Sequence, residues 1–89
     1  MGQYSLKIIM KNIIKMYGTP TCDDCRRSKE VFAKYNVPYE FFDINTDDEA
    51  LNTLLKLSNG EHRTPVILFP DGKILIEPSN KELITALNF

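Results

Sequence analysis

Long apolar runs, an excess of charge of one sign and an abundance of cysteine are all missing from this chain, and each absence excludes a class of protein. No stretch approaches the roughly 18 uninterrupted apolar residues that a membrane-spanning helix requires. Eleven basic residues stand against twelve acidic ones, a formal net charge of −1 with the single histidine neutral. No global field therefore draws the chain to nucleic acid or to an anionic membrane. Two cysteines are too few for a disulfide scaffold, and their spacing would close only a tiny loop, which favours chemistry or metal binding over a structural staple. Residues 1–15 alternate apolar positions with Lys7, Lys11, Asn12 and Lys15 and carry neither an apolar signal core nor a small-residue cleavage site. The expectation is a protein that is not secreted and works in a reducing, cytoplasmic setting. With 89 residues, 43% hydrophobic and 26% charged, and no repeat, linker or low-complexity segment, one globular domain is expected.

What is present is organised around Tyr17-Gly18-Thr19-Pro20-Thr21-Cys22-Asp23-Asp24-Cys25-Arg26-Arg27. The apolar run Ile13 to Tyr17 reads as a buried strand, Gly18 to Pro20 as a turn, and the cysteines as the opening of a helix. A thiol at that position meets unpaired N–H groups and the positive end of the helix dipole, which favour a thiolate at Cys22. Cys25 lies one turn further on the same face, within reach of a disulfide. Asp23 and Asp24 are expected to oppose the thiolate, and Arg26, Arg27 and the helix terminus to favour it. The net expectation is a Cys22 pKa below that of a free thiol. The pattern points to a thiol–disulfide redox site.

Residues 1–11 read as an N-terminal extension or as the start of the first strand, and residues 12–89 as the domain. From about Asp23 to Tyr35, Cys25, Ser28, Val31, Phe32 and Tyr35 trace one helical face, and Asn36 terminates it. Tyr39 to Ile44 reads as a second strand, parallel to the first across a helical crossover. Thr46 to Glu49 has the form of a capping box with Thr46 as N-cap. A helix follows with Ala50, Leu51, Leu54, Leu55 and Leu57 inward, ending at Asn59 and Gly60. Val66 to Phe69 and Ile74 to Ile76 flank hairpin-turn chemistry at Pro70 to Lys73. Ser79 to Glu82 makes a second capping box before a terminal helix buried through Leu83, Ile84 and Leu87. The order is β-α-β-α-β-β-α.

That order, with the Cys22/Cys25 turn after the first strand and Thr64-Pro65 before the third, resembles the glutaredoxins of the thioredoxin fold, over nearly everything from Ile13 to Leu87. Asn59 to Pro65, Phe69 to Gly72 and Glu77 to Ser79 carry a further likeness to mycoredoxin-like and small bacterial glutaredoxin-like proteins. The resemblance implies an α/β thioredoxin-like fold, a four-stranded mixed sheet flanked by three helices. It implies Cys22 as attacking thiolate, Cys25 as resolving thiol and Pro65 as a cis-proline facing them. The backbone of Thr64 then pairs with a bound thiol peptide as an added strand.

The chain departs from the family pattern in four respects. Thr19 stands where glutathione users often carry lysine, Asp24 where an aromatic residue is common, and Ile76-Glu77 where a glycine pair is usual. Thr64 also abuts Pro65 with no valine between them.

The expected activity is dithiol reduction of protein or low-molecular-weight mixed disulfides, with no metal and no organic cofactor required. The reductant is a low-molecular-weight thiol, glutathione or mycothiol, or a flavin-dependent reductase, and the partners are disulfide-containing proteins met by a monomer. Thr19 and Thr21 are expected to line the groove beside Cys22. Arg63 is a candidate partner for a small thiol's carboxylate, or else a plain surface arginine. Ser79 and Asn80 are helix caps first and candidate carboxylate holders second. His62 reads as a solvated loop residue, and a zinc site needs about four ligands where one chain offers three soft ones. The readings kept beside this one are an iron–sulfur carrier, a redox-sensing module and an electron donor served by thioredoxin reductase. Arsenate reductases share the cysteine turn, but their chains are longer and the segment from Thr64 to Ser79 fits glutaredoxins better.

Overall fold

The structure, a computed structural model, describes residues 13–87; the expectations for residues 1–11 lie outside the described residues. Strand β1 (Ile14–Gly18) leads to helix α1 (Asp23–Lys34), strand β2 (Tyr39–Asp43) and helix α2 (Asp48–Leu57). Strands β3 (Val66–Leu68) and β4 (Ile74–Ile76) and helix α3 (Asn80–Leu87) complete the order β-α-β-α-β-β-α. The sheet runs β2-β1-β3-β4. Strand β1 is parallel to β2, and β3 is antiparallel to both β1 and β4.

Alternation along β1 divides the core into two layers. Ile14 and Met16 pack with Cys25, Val31, Phe32, Ile67, Phe69 and Leu83 on the side covered by α1 and α3. Tyr17 packs with Ile44, Ala50, Leu54 and Val66 on the side covered by α2. Phe32, Met16, Leu54, Ile67 and Leu83 are fully buried, each contributing about 1.5–3 kcal/mol by leaving water. Leu54 is fully buried in the layer that α2 covers, so truncating it to Ala would cost about 2–5 kcal/mol.

The strand expected over Ile13 to Tyr17 runs instead from Ile14 through Gly18. Gly18 stands opposite Asp43 in the parallel register, and its carbonyl accepts the Ile44 N–H at 2.9 Å. Helix α1 ends as expected at Asn36, whose φ is +55°, with the Val37 N–H closing on the Phe32 carbonyl at 2.8 Å.

The first capping box is corrected. The chain leaving β2 is still turning at Thr46, whose N–H reaches the Asp43 carbonyl at 3.3 Å, as does that of Asp47 at 3.1 Å. The helix therefore starts one residue later than expected. Asp47 is the N-cap, and its carboxylate accepts the N–H groups of Glu49 and Ala50 at 3.0 and 3.1 Å. The second box forms as expected: the Ser79 N–H donates to Glu82 Oε1 at 2.8 Å, and Ser79 Oγ accepts the Glu82 N–H at 3.1 Å. Helix α2 ends through Asn59 and Gly60, both with positive φ. Among the described residues no helix is long and apolar enough to cross a membrane.

Candidate active site

Antiparallel pairing of β1 with β3 sets Tyr17 opposite Val66. The residues just after β1 and those just before β3 therefore share one end of the sheet. Cys22 arrives from the first side as the N-cap of α1, in an extended conformation that leaves its Sγ to accept the Cys25 N–H at 3.3 Å. Thr64 arrives from the second side, joined to Pro65 by a cis peptide bond. Its hydroxyl donates to Cys22 Sγ at 3.3 Å, and in the thiol form Cys22 can donate to the Thr64 carbonyl at 3.8 Å.

The two thiols, both free, sit in different surroundings. Cys22 is partly exposed, whereas Cys25 is 1% exposed and belongs to the core layer of Met16 and Phe32. Gly18 makes room for it, because a Cβ at Gly18 would overlap Cys25 Sγ. Burial raises the pKa of Cys22, but the Thr64 hydroxyl, the Cys25 thiol and the Cys25 N–H all favour its thiolate and carry it below the ordinary value; Asp23 opposes them. Burial also pushes Cys25 up to about 12, helped by its hydrogen bond to Cys22 and the charge there, while a backbone hydrogen bond from Thr19 and the Thr64 hydroxyl pull the other way.

The direction at Cys22 agrees with the sequence, and so does the opposition of Asp23. The arginines contribute otherwise than expected. Arg26 lies 3.3 Å from Glu30 and 4.0 Å from Asp23, and Arg27 is paired with Asp24, so their charge is spent on neighbouring acids. Thr64, expected to act through its backbone, acts on the sulfur through its hydroxyl.

Of the other candidates, Thr19 is half-buried and its carbonyl accepts the Cys22 N–H at 3.4 Å; Thr21 is exposed beside it. Arg63 is held within the chain, with Nε 2.7 Å from Glu77 and a terminal nitrogen 3.3 Å from Glu61. Ser79 has both its N–H and its hydroxyl engaged by Glu82, Asn80 is exposed at the start of α3, and His62 is exposed. Among the described residues no group of three or more His, Cys, Asp or Glu is placed to hold a metal ion.

Two residues were missed in the sequence. Gly18 carried a signal, a glycine closing an apolar strand just before a cysteine turn. Glu77 carried none. It adopts φ +47°, a region that disfavours side chains, while its N–H donates to the Pro65 carbonyl at 2.8 Å and its carboxylate holds Arg63.

Comparison with known proteins bears on the same residues. The Glutaredoxin family model matches residues 14–75. A glutaredoxin-like 8.6 kDa protein of the rubredoxin operon of Clostridium pasteurianum is 34% identical over 76 residues, covering 80% of this chain and 92% of that protein. Among solved structures, a mutant of the thioredoxin-like protein BC3987 superposes with a TM-score of 0.74 at 33% identity, over 84% of this chain and 99% of the other. A glutaredoxin (grx-1) from Archaeoglobus fulgidus gives 0.75 at 22% identity over 100% of both chains, a likeness of fold. With the match spanning both cysteines and the Thr64-Pro65 segment, the chain belongs to the glutaredoxin family of the thioredoxin-like superfamily.

Proposed function

We propose that this protein is a dithiol thiol–disulfide oxidoreductase that reduces protein or low-molecular-weight mixed disulfides through Cys22 and Cys25. The observation that carries the reading is the asymmetry of the pair: a partly exposed thiol with a lowered pKa beside a buried one with a pKa of about 12. The Cys22 thiolate attacks one sulfur of a substrate disulfide, forming a mixed disulfide and releasing the other sulfur as a thiolate. Cys22 then no longer carries a charge or accepts the Cys25 hydrogen bond, and two of the causes that hold the proton on Cys25 are gone. Cys25 loses its proton to solvent and attacks Cys22 Sγ. The second substrate thiolate leaves, and two electrons have passed from the dithiol to the substrate. A low-molecular-weight thiol, glutathione or mycothiol, or a flavin-dependent reductase returns them.

The Thr64 backbone pairs with the substrate peptide as an added strand, with Thr19 and Thr21 beside the attacked sulfur. Arg63, Ser79 and Asn80 flank the bound thiol. The reaction requires no metal or organic cofactor. A chain whose two cysteines form one redox pair and build no framework fits a reducing, cytoplasmic compartment, where it acts as a monomer.

The test follows NADPH consumption with three donors in parallel: glutathione with its reductase, mycothiol with its reductase, and thioredoxin reductase alone. Turnover with at least one donor, abolished in Cys22→Ser, is the expected result. Failure with all three in the wild type would overturn the reading.

A further inference from the structure

All three arginines of the chain flank Cys22, and each is bound to acids of the chain itself. Arg26 and Arg27 lie in the first turns of α1, held by Asp23 and Glu30 and by Asp24 respectively. Arg63 adjoins Thr64, whose hydroxyl touches Cys22 Sγ, and lies between Glu77 and Glu61. Acids outnumber arginines in the clusters on both sides of the sulfur. Glu77 is the most telling member. Its backbone occupies the left-handed region that favours glycine, it is fastened to the Pro65 carbonyl, and its carboxylate comes within 2.7 Å of Arg63.

From this arrangement we infer that the groove discriminates by charge, favouring disulfides flanked by positive charge and disfavouring anionic small-molecule disulfides, with Glu77 as the specificity-determining residue. An incoming carboxylate would have to displace Glu77 from Arg63, and it approaches through a field already biased negative. A cationic substrate meets the spare carboxylates instead. The inference rests on the oxidoreductase reading and refines it: the preferred substrates are neutral or basic peptide disulfides, and an uncharged thiol is a better reductant than an anionic one. The chemistry is unchanged, two electrons passing from the Cys22–Cys25 dithiol to the disulfide and two thiolates leaving.

Two disulfide probes of opposite charge test it, dicationic cystamine and anionic glutathione disulfide, each reduced by the pre-reduced full chain under single turnover. Their rates with dithiothreitol give the intrinsic reactivity of each probe. After that correction the wild type is expected to favour cystamine, with a preference that shrinks as salt is added. Glu77→Gln, nearly isosteric, should lower the preference by roughly two- to fivefold, the size of one exposed charge interaction. Glu77→Gly, which suits the left-handed backbone, should do the same if Gln perturbs folding. A purely structural role for Glu77 would change both rates together and leave the ratio fixed; that result, or a wild-type preference for glutathione disulfide, overturns the inference. If neither probe is reduced in a Cys22-dependent manner, the oxidoreductase reading falls and the inference with it.

Discussion

The hydroxyl of Thr64 reaches the sulfur of Cys22 at 3.3 Å across 42 residues of sequence. It is the first of the groups that favour the Cys22 thiolate against burial. Thr64→Val keeps the shape and removes the donor, so the pH midpoint of Cys22 alkylation should move up. The alkylation rate at neutral pH should fall roughly threefold or more, in keeping with the loss of a hydrogen bond to a charged group. Thr64→Ser, which restores the donor, should recover most of it. An unchanged midpoint in the valine variant would remove Thr64 from the account of the site.

The cysteine pair also gives stability a pH dependence of opposite sign on its two members. Cys22 has a lowered pKa in the fold, so it adds stability above its unfolded value of 9.0, and that contribution is lost as pH falls through the folded value. Cys25 is raised from 9.0 to about 12. Its contribution is complete below 9.0 and is lost toward 12, where the unfolded chain binds one proton fewer. Stability due to the pair therefore rises toward pH 9 and declines beyond it, by at most ~1.4 kcal/mol per pH unit. Urea denaturation of wild type and Cys25→Ser between these limits should differ in slope, and parallel curves would contradict the assignment.

Gly18 leaves the space into which Cys25 fits. Gly18→Ala must displace the sulfur or bend β1, an overpacking cost of about 1–3 kcal/mol visible in urea denaturation. The misplaced Cys25 should also resolve slowly, so that the Cys22 mixed disulfide accumulates and can be trapped by acid quench. Wild-type stability and no accumulated intermediate would show that the space is not needed.

The cap of α2 separates two neighbouring residues. Asp47→Ala should cost about 1 kcal/mol of stability, whereas Thr46→Ala should fall within about 0.5 kcal/mol of wild type. Denaturation midpoints of the two variants, measured side by side, check this, and the reverse order would restore Thr46 as the cap.

The parts of the fold that were legible in the sequence are those set by local chemistry. The stripe of Cys25, Ser28, Val31 and Phe32, the left-handed stop at Asn36, the hairpin turn and the reciprocal cap of Ser79 and Glu82 each depend on residues within a few positions of one another. Thr46 and Asp47 show where this ends. Both are competent caps, and the choice depends on how far the turn from Asp43 continues. The place of Cys22 at the head of α1 was legible for the same local reason, since an N-cap needs only the start of its helix. The Thr64 hydroxyl and the Glu77–Arg63 pair depend on the β1–β3 register or on the backbone after β4, which no short window of sequence contains, whereas the space at Gly18 lies in the same turn as Cys25 and showed only as a glycine closing the strand. Neutralisation of Arg26 and Arg27 lay within a turn of the cysteines but was decided by side-chain pairing among several nearby acids.

That register also determines where the chain tolerates changes in length. Strand β3 is three residues long and joins the Thr64 half of the site to β1. One residue inserted between Pro65 and Ile67 would turn Val66 and Ile67 to the wrong faces and carry the hydroxyl away from the sulfur. The turn at Asn59 and Gly60 is exposed, and a Cβ on Gly60 meets nothing within 4 Å. Extra residues there can loop into solvent at an entropic cost that grows slowly with length. A tag, reporter or binding peptide grafted at that turn should leave the cysteine pair in register, whereas the same graft a few residues later would dismantle it.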